Sequence, residues 1–186
     1  MKRMILMVVA AMMATMTVNA QNEDLKNEIG VAYGFGSNTD LIGSFYKGIF
    51  TGKQLNYWGP VSIEYFRRFG SSNRWGVGAI FAIGGCKWDK DDDSKKSTFY
   101  TIMPALKYNW VNKNNFGLYS KFAAGFTVGS DKGHASDNNG KDNKTTTNFN
   151  FQITGIGVEA GGAFRGFAEL GMGEQGVAII GVRYKF

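Results

Sequence analysis

Eight stretches of this chain alternate large apolar residues with glycine, alanine or polar residues, and a period of two leaves few folds open. In EIGVAYGFG, Ile29, Val31, Tyr33 and Phe35 alternate with Gly30, Ala32, Gly34 and Gly36. In RWGVGAIFAIGG, Trp75, Val77, Ala79, Phe81 and Ile83 do the same, and in YTIMPALKYNW Tyr100, Ile102, Leu106, Tyr108 and Trp110 oppose Thr101, Met103, Ala105, Lys107 and Asn109. Similar segments cover about 58–69, 116–129, 148–160 and 163–172. The last, GVAIIGVRYKF, sets Ala178, Ile180, Val182, Tyr184 and Phe186 against Gly181, Arg183 and Lys185. Each predicts a strand of about 9–11 residues, the length a tilted membrane strand needs.

The next question is which face meets water. A soluble eight-stranded barrel turns its apolar face inward. Here that would send Tyr33, Phe35, Trp75, Phe81, Tyr108, Trp110, Phe122, Phe126, Tyr184 and Phe186 into a narrow bore and leave a glycine stripe in water, where glycine only weakens a strand. Turned the other way, the aromatics meet lipid, and Gly30, Gly34, Gly76, Gly78, Gly125 and Gly181 fit a crowded interior. A sheet in lipid must close, because an open edge leaves backbone groups unpaired. The terminal strand, ending on Phe186, is therefore expected to seal against the first.

The connections agree. Long polar stretches (about 37–57, 88–98 and 130–147) alternate with tight ones (GSSNR, VNKNN, AGGA), which puts the long ones at one end of an antiparallel barrel. The seventh connection, GEQG, is short where a long one is expected. GMGEQG also matches a dinucleotide-binding fingerprint, but the remaining strand leaves no room for the helix that such a site needs, so it reads as a turn.

Residues 1–20 read as a cleaved signal peptide: Lys2 and Arg3, a short apolar run, then Val18-Asn19-Ala20 before Gln21. Residues 21–186 would form one exported domain. Its single cysteine, Cys86, allows no internal disulfide, and the formal charge of +6 is scattered, so no nucleic-acid partner is expected.

With these features the chain resembles the small outer-membrane β-barrels of the OmpA/OmpX type over nearly the whole of 21–186. The resemblance implies an all-β, single eight-stranded antiparallel up-and-down transmembrane β-barrel in the outer membrane of a Gram-negative bacterium. Its surroundings would be outer-membrane lipid and lipopolysaccharide, and its partner in assembly the barrel-assembly machinery. Gly181, Tyr184 and Phe186 are similar to that class's terminal assembly signal, with Ile179 where the class usually has a polar residue.

Alternation places Glu64, Arg68, Lys107, Lys121, Arg165, Glu169 and Arg183 inside, with Glu159 joining them if a bulge near Gly155 shifts the phase. Charges in so narrow a space must be paired or hydrated. Pro104, on the lipid face of a strand paired on both sides, suggests a second bulge, and Ser120 interrupts the apolar face of its strand.

Other chemistry is thinner. His134 and Ser136 in GHAS are similar to the active-site pair of outer-membrane lipid A deacylases, with Asp131 and Asp137 nearby, but they lie in a hydrophilic stretch rather than on a strand. DKDDDSKK, 89–96, lacks calcium-loop spacing and reads as a self-neutralising loop. DLIGSFYKGIF, 40–50, has the apolar spacing of an amphipathic helix and offers a surface for a partner or a cap over the mouth. No cofactor and no metal is expected. The functional expectation is a non-catalytic barrel acting through its outside loops, with a narrow porin-like pore or hydrophobic-ligand conduit and a lipid A-modifying enzyme as alternatives.

Overall fold

The computed structural model describes residues 25–37, 56–70, 73–90, 93–132 and 144–186. They form β1 (Asn27–Phe35), β2 (Asn56–Phe69), β3 (Trp75–Lys90), β4 (Asp93–Asn112), β5 (Phe116–Lys132), β6 (Lys144–Gly161), β7 (Phe164–Gly173) and β8 (Ala178–Lys185). Each strand pairs antiparallel with the next, and β8 pairs with β1 to close the barrel. In that seam Gly30 lies opposite Arg183 and Val31 opposite Val182, while Asn27 and Phe186 exchange two backbone hydrogen bonds of 2.9 Å.

The inverted arrangement holds. Val31, Phe35, Trp75, Phe81, Leu106, Phe122, Phe126, Val182 and Tyr184 are all exposed on the outside. The buried residues include Glu64, Lys107, Lys121, Glu159 and Arg183. On β4 the outward apolar column runs from Tyr100 to Trp110. Ten steps of about 3.4 Å, tilted by about 40°, span roughly 26 Å of height, which matches the apolar band of a membrane barrel. The outside of this barrel is a lipid-facing surface.

The strands are less uniform than expected. β3, β4, β5 and β6 have 16, 20, 17 and 18 residues, whereas β1, β7 and β8 have 9, 10 and 8. Most of 88–98 is therefore paired strand rather than loop: Trp88 lies opposite Lys95 and Lys90 opposite Asp93. Likewise β5 runs on to Lys132 and β6 begins at Lys144, so the connection expected over 130–147 is shorter. Strands clear of the membrane can be polar on both faces, so alternation of polarity does not reveal them.

One bulge falls where the phase change put it and one does not. The register of β6 shifts against both neighbours around Gly155, and Ile156 and Val158 face outward beyond it. Pro104, by contrast, lies opposite Ala79 in an unbroken register, and the pairing of β4 with β5 keeps step from Ile102–Phe126 to Ala105–Ala123. A proline on a paired strand omits its own ladder bond and need not add a residue. The proline that does sit at a shift is Pro60, between Trp58 and Val61 of β2. A further shift at Trp110 in β4 completes the set among the described residues.

Candidate functional site

The barrel's interior divides into two layers. Toward the short-turn end, four glutamates from four strands meet five basic residues. Arg183 is the hub: its guanidinium pairs with Glu64, reaches Glu159 Oε2 at 2.5 Å, and lies 3.7 Å from Glu28 and 3.8 Å from Glu169. Lys121 Nζ sits between Glu64 at 3.0 Å and Glu169 at 2.8 Å. Lys107 Nζ reaches Glu28 at 2.7 Å and Glu159 at 3.4 Å. Arg165 Nη1 donates to Glu159 at 2.9 Å, and Lys185 pairs with the same carboxylate.

This cluster works because each carboxylate is shared. A lone buried ion costs several kcal/mol of lost hydration, which neighbouring opposite charges offset only when the remaining lone pairs are also filled. Here Tyr119 donates to Glu169 Oε1 at 2.7 Å and Thr154 to Glu169 Oε2 at 2.9 Å. The Tyr119 ring also lies 4.0 Å from Lys107 Nζ, and the Phe167 ring 4.3 Å from the Arg183 guanidinium carbon, so aromatic faces take up cationic surface that water would otherwise cover. Space for Tyr119 is made by Gly157 on the neighbouring strand, where an added Cβ would stand 2.5 Å from the ring.

Two of these residues, Glu28 and Lys185, lay outside the expected set, although both keep the inward phase of their strands. They sit at strand ends, where alternation is read over fewest residues. Arg68 stands apart: it is buried, but its guanidinium donates to Asn112 Oδ1 at 3.1 Å and to the Leu25 carbonyl, with no ion pair among the described residues. Phe66, Ile80, Met103, Ala105 and Ala123 form an apolar patch on the same inner wall.

The second layer lies toward the long-strand end and is mostly uncharged. The GEQG connection folds inward there, and Glu174 and Gln175 are buried. The Gln175 side chain donates to Ser62 Oγ at 2.8 Å, its backbone N–H donates to Gln152 Oε1 at 2.8 Å, and Gln152 Nε2 returns to the Gly176 carbonyl at 3.1 Å. Asn150 donates to Glu174 at 2.7 Å and to Thr127 at 3.1 Å, and Thr127 shares a 2.7 Å bond with Thr101. Gly34 makes the inward fold possible, since a Cβ there would lie 1.6 Å from the Gln175 carbonyl oxygen. Gly173 and Gly176, at φ of 139° and 119°, supply the left-handed backbone on either side of the turn.

On the outer wall, Ser120 is held between the two bulges. It accepts from Trp110 Nε1 at 2.9 Å and donates to the Gly155 carbonyl at 2.6 Å, which gives a backbone group freed by the bulge a partner in the lipid-facing surface. Gly181, Tyr184 and Phe186 lie on or beside β8 at the barrel seam, with Tyr184 and Phe186 outward and their rings stacked at 6.0 Å. His134, Ser136, Asp137 and the 40–50 segment lie outside the described residues.

No protein-family model and no curated protein matches the chain. Solved structures do. The crystal structure of Ail, the attachment invasion locus protein of Yersinia pestis, is 15% identical, with 87% of this chain and 97% of that chain covered and a TM-score of 0.44. Ail in complex with the heparin analogue sucrose octasulfate is 14% identical over 87% and 97%, with a TM-score of 0.48. Ail in a phospholipid bilayer nanodisc is 16% identical over 87% and 99%, with a TM-score of 0.43. On its own strand count, closure and outward apolar belt, the chain has the architecture of the small eight-stranded transmembrane barrels of the OmpA/OmpX type.

Proposed function

We propose that the chain is a non-catalytic outer-membrane barrel of a Gram-negative bacterium, exported by residues 1–20, that acts at the cell surface through its long-strand end. The observation that carries this reading is the pairing of a lipid-facing exterior with an interior filled by side chains at two levels. With the wall in lipid and the lumen occupied, the surfaces left for a partner are the rim and its connections, within 37–57, 88–98 and 130–147. Gly181, Tyr184 and Phe186 serve as the signal read by the barrel-assembly machinery, and the first task of the interior ion pairs is to hold the wall closed.

Two measurements test this. The chain from Gln21 to Phe186, moved from urea into detergent, is expected to run with different mobility unboiled and boiled. Its absence, together with solubility in plain buffer, would overturn the membrane reading. In a planar bilayer the refolded protein is expected to show no conductance steps, whereas discrete steps would favour the porin-like alternative. Unchanged lipid A acyl chains in expressing cells would dispose of the deacylase reading of His134 and Ser136.

A further inference from the structure

Among the residues whose side chains are described, one charged group stands on the outer face of a strand. Arg67 keeps the outward phase of β2 between Tyr65 and Phe69, and it is exposed. Its guanidinium has no ion pair and no hydrogen bond among the described residues. A bare cation in an apolar column is costly at the centre of a bilayer and tolerable near its edge, where the long side chain carries its head to the interface. Arg67 lies two residues from the short-turn end of β2, roughly 5 Å of height at the strand rise and tilt of such barrels. The aromatic border of that end is beside it. Phe69 lies opposite Trp75 and Trp75 opposite Tyr108, and the rings of Trp75, Tyr108 and Trp110 follow one another at 4.7 and 4.8 Å. Arg67 therefore delivers its charge to the headgroup level of the leaflet at the short-turn end.

The neighbour across the register adds donors. Asn27 of β1 lies directly opposite Arg67, so their side chains share the outer face. The Tyr65 hydroxyl donates to Asn27 Oδ1 at 2.9 Å, which occupies the amide's acceptor and leaves its NH2 to donate. A planar fork of N–H donors beside an amide NH2 suits a phosphodiester, whose unesterified oxygens only accept. The rim behind them is basic: Lys26, Arg74 and Lys113 are exposed at the same end, while every glutamate whose side chain is described is buried. Glu23 and Asp24 precede β1 and lie outside the described residues; counted at full charge, they still leave four exposed bases, Arg67 included, against two acids. We propose that Arg67 and Asn27 form a headgroup site for an anionic phospholipid of the short-turn leaflet, with its phosphodiester on the guanidinium and the amide. The inference rests on the membrane reading above, which makes the outer wall a lipid contact. The occupant is a lipid because both side chains stand on that wall, in columns continued by the exposed Ile29 and Ile63, which give acyl chains an apolar surface to follow.

The test is the temperature at which the refolded mature chain in neutral detergent loses its fast unboiled band, with phosphatidylglycerol, phosphatidylcholine or glycerol phosphate added. Phosphatidylglycerol is expected to raise the wild-type transition by several degrees, and the other two by little. Arg67→Gln is expected to lose most of that rise and, without lipid, to be at least as stable as wild type because a charge has left an apolar column. Arg67→Lys keeps the charge without the fork and is expected to retain about half of the rise, which keeps the test valid if Arg67→Gln refolds poorly. Lys113→Gln, on the rim and off the site, is expected to keep most of it. An equal rise, or none, in wild type and Arg67→Gln would overturn the site, as would an equal loss in Lys113→Gln, since the charge of the rim would then account for it. An equal rise with glycerol phosphate would overturn the lipid as occupant, and an equal rise with phosphatidylcholine the anionic class. A rise confined to the E23Q/D24N variant would show that those carboxylates hold Arg67 and would overturn the site as well. Absence of any boiled-unboiled difference in wild type would overturn the membrane reading with it, a failure distinguishable from the others.

Discussion

The two interior layers solve one problem in opposite ways. Toward the short-turn end, polar atoms are satisfied by shared charge: Glu159 alone serves Lys107, Arg165, Arg183 and Lys185. Toward the long-strand end they are satisfied mainly by amides and hydroxyls around an inward turn, with the Gln152 side chain both accepting and donating and Gln175 donating twice. A shared charge fails collectively, because removing one partner strands several others. An amide layer fails one bond at a time.

The comparison breaks most sharply at its hub. Arg183→Met leaves Glu28, Glu64 and Glu159 short of a cation and is expected to cost about 3–5 kcal/mol, the penalty for an uncompensated buried charge. Refolding yield of the unboiled band should collapse, with Arg183→Lys recovering part of it. If Arg183→Met refolds like wild type, the cluster does not hold the wall. Next comes Gly34→Ala, whose Cβ would strike the Gln175 carbonyl. This substitution is expected to push the turn out and leave the barrel folded. In a Cys86→Ser background carrying Gln175→Cys, a bulky maleimide should label the Gly34→Ala protein at least about fivefold faster, since a clash of about 1–3 kcal/mol corresponds to that factor or more. Equal labelling would show that the layer yields elsewhere.

Smaller effects sharpen the contrast. Gln175→Ala removes one neutral bond to Ser62 and is expected to cost about 1 kcal/mol in a urea titration in detergent, several-fold less than the hub. Ser120→Ala, on the lipid side, is expected to cost about 0.6 kcal/mol, the average for a side-chain bond within a membrane. A larger loss there would mean that the bulges depend on that hydroxyl.

Much of this was legible in the sequence because lipid enforces strict alternation. The facing of Val31, Phe81 and Phe126, the closure of β8 on β1 and the bulge at Gly155 all follow from period and phase. What was not legible depends on more than one strand. The slot that Gly157 opens for Tyr119 exists only once β5 and β6 are in register. Pro60 and Pro104 look alike as letters, yet one sits at a register shift and the other in an unbroken ladder. The upper ends of β3 to β6 were hidden for the opposite reason, since nothing apolar marks a strand that has left the membrane.

The bulge in β6 also sets how the chain tolerates changes in length. Elsewhere in a lipid-facing strand, losing one residue exchanges inside and outside for everything beyond it. Gly155 is already the residue out of step, so its deletion would run Ile153 directly into Ile156 on the outer face and keep Thr154, Gly157 and Glu159 within. Of all positions along β6, this is where the wall carries a spare link, and a shortened relative could shed that residue without turning its charges into the lipid.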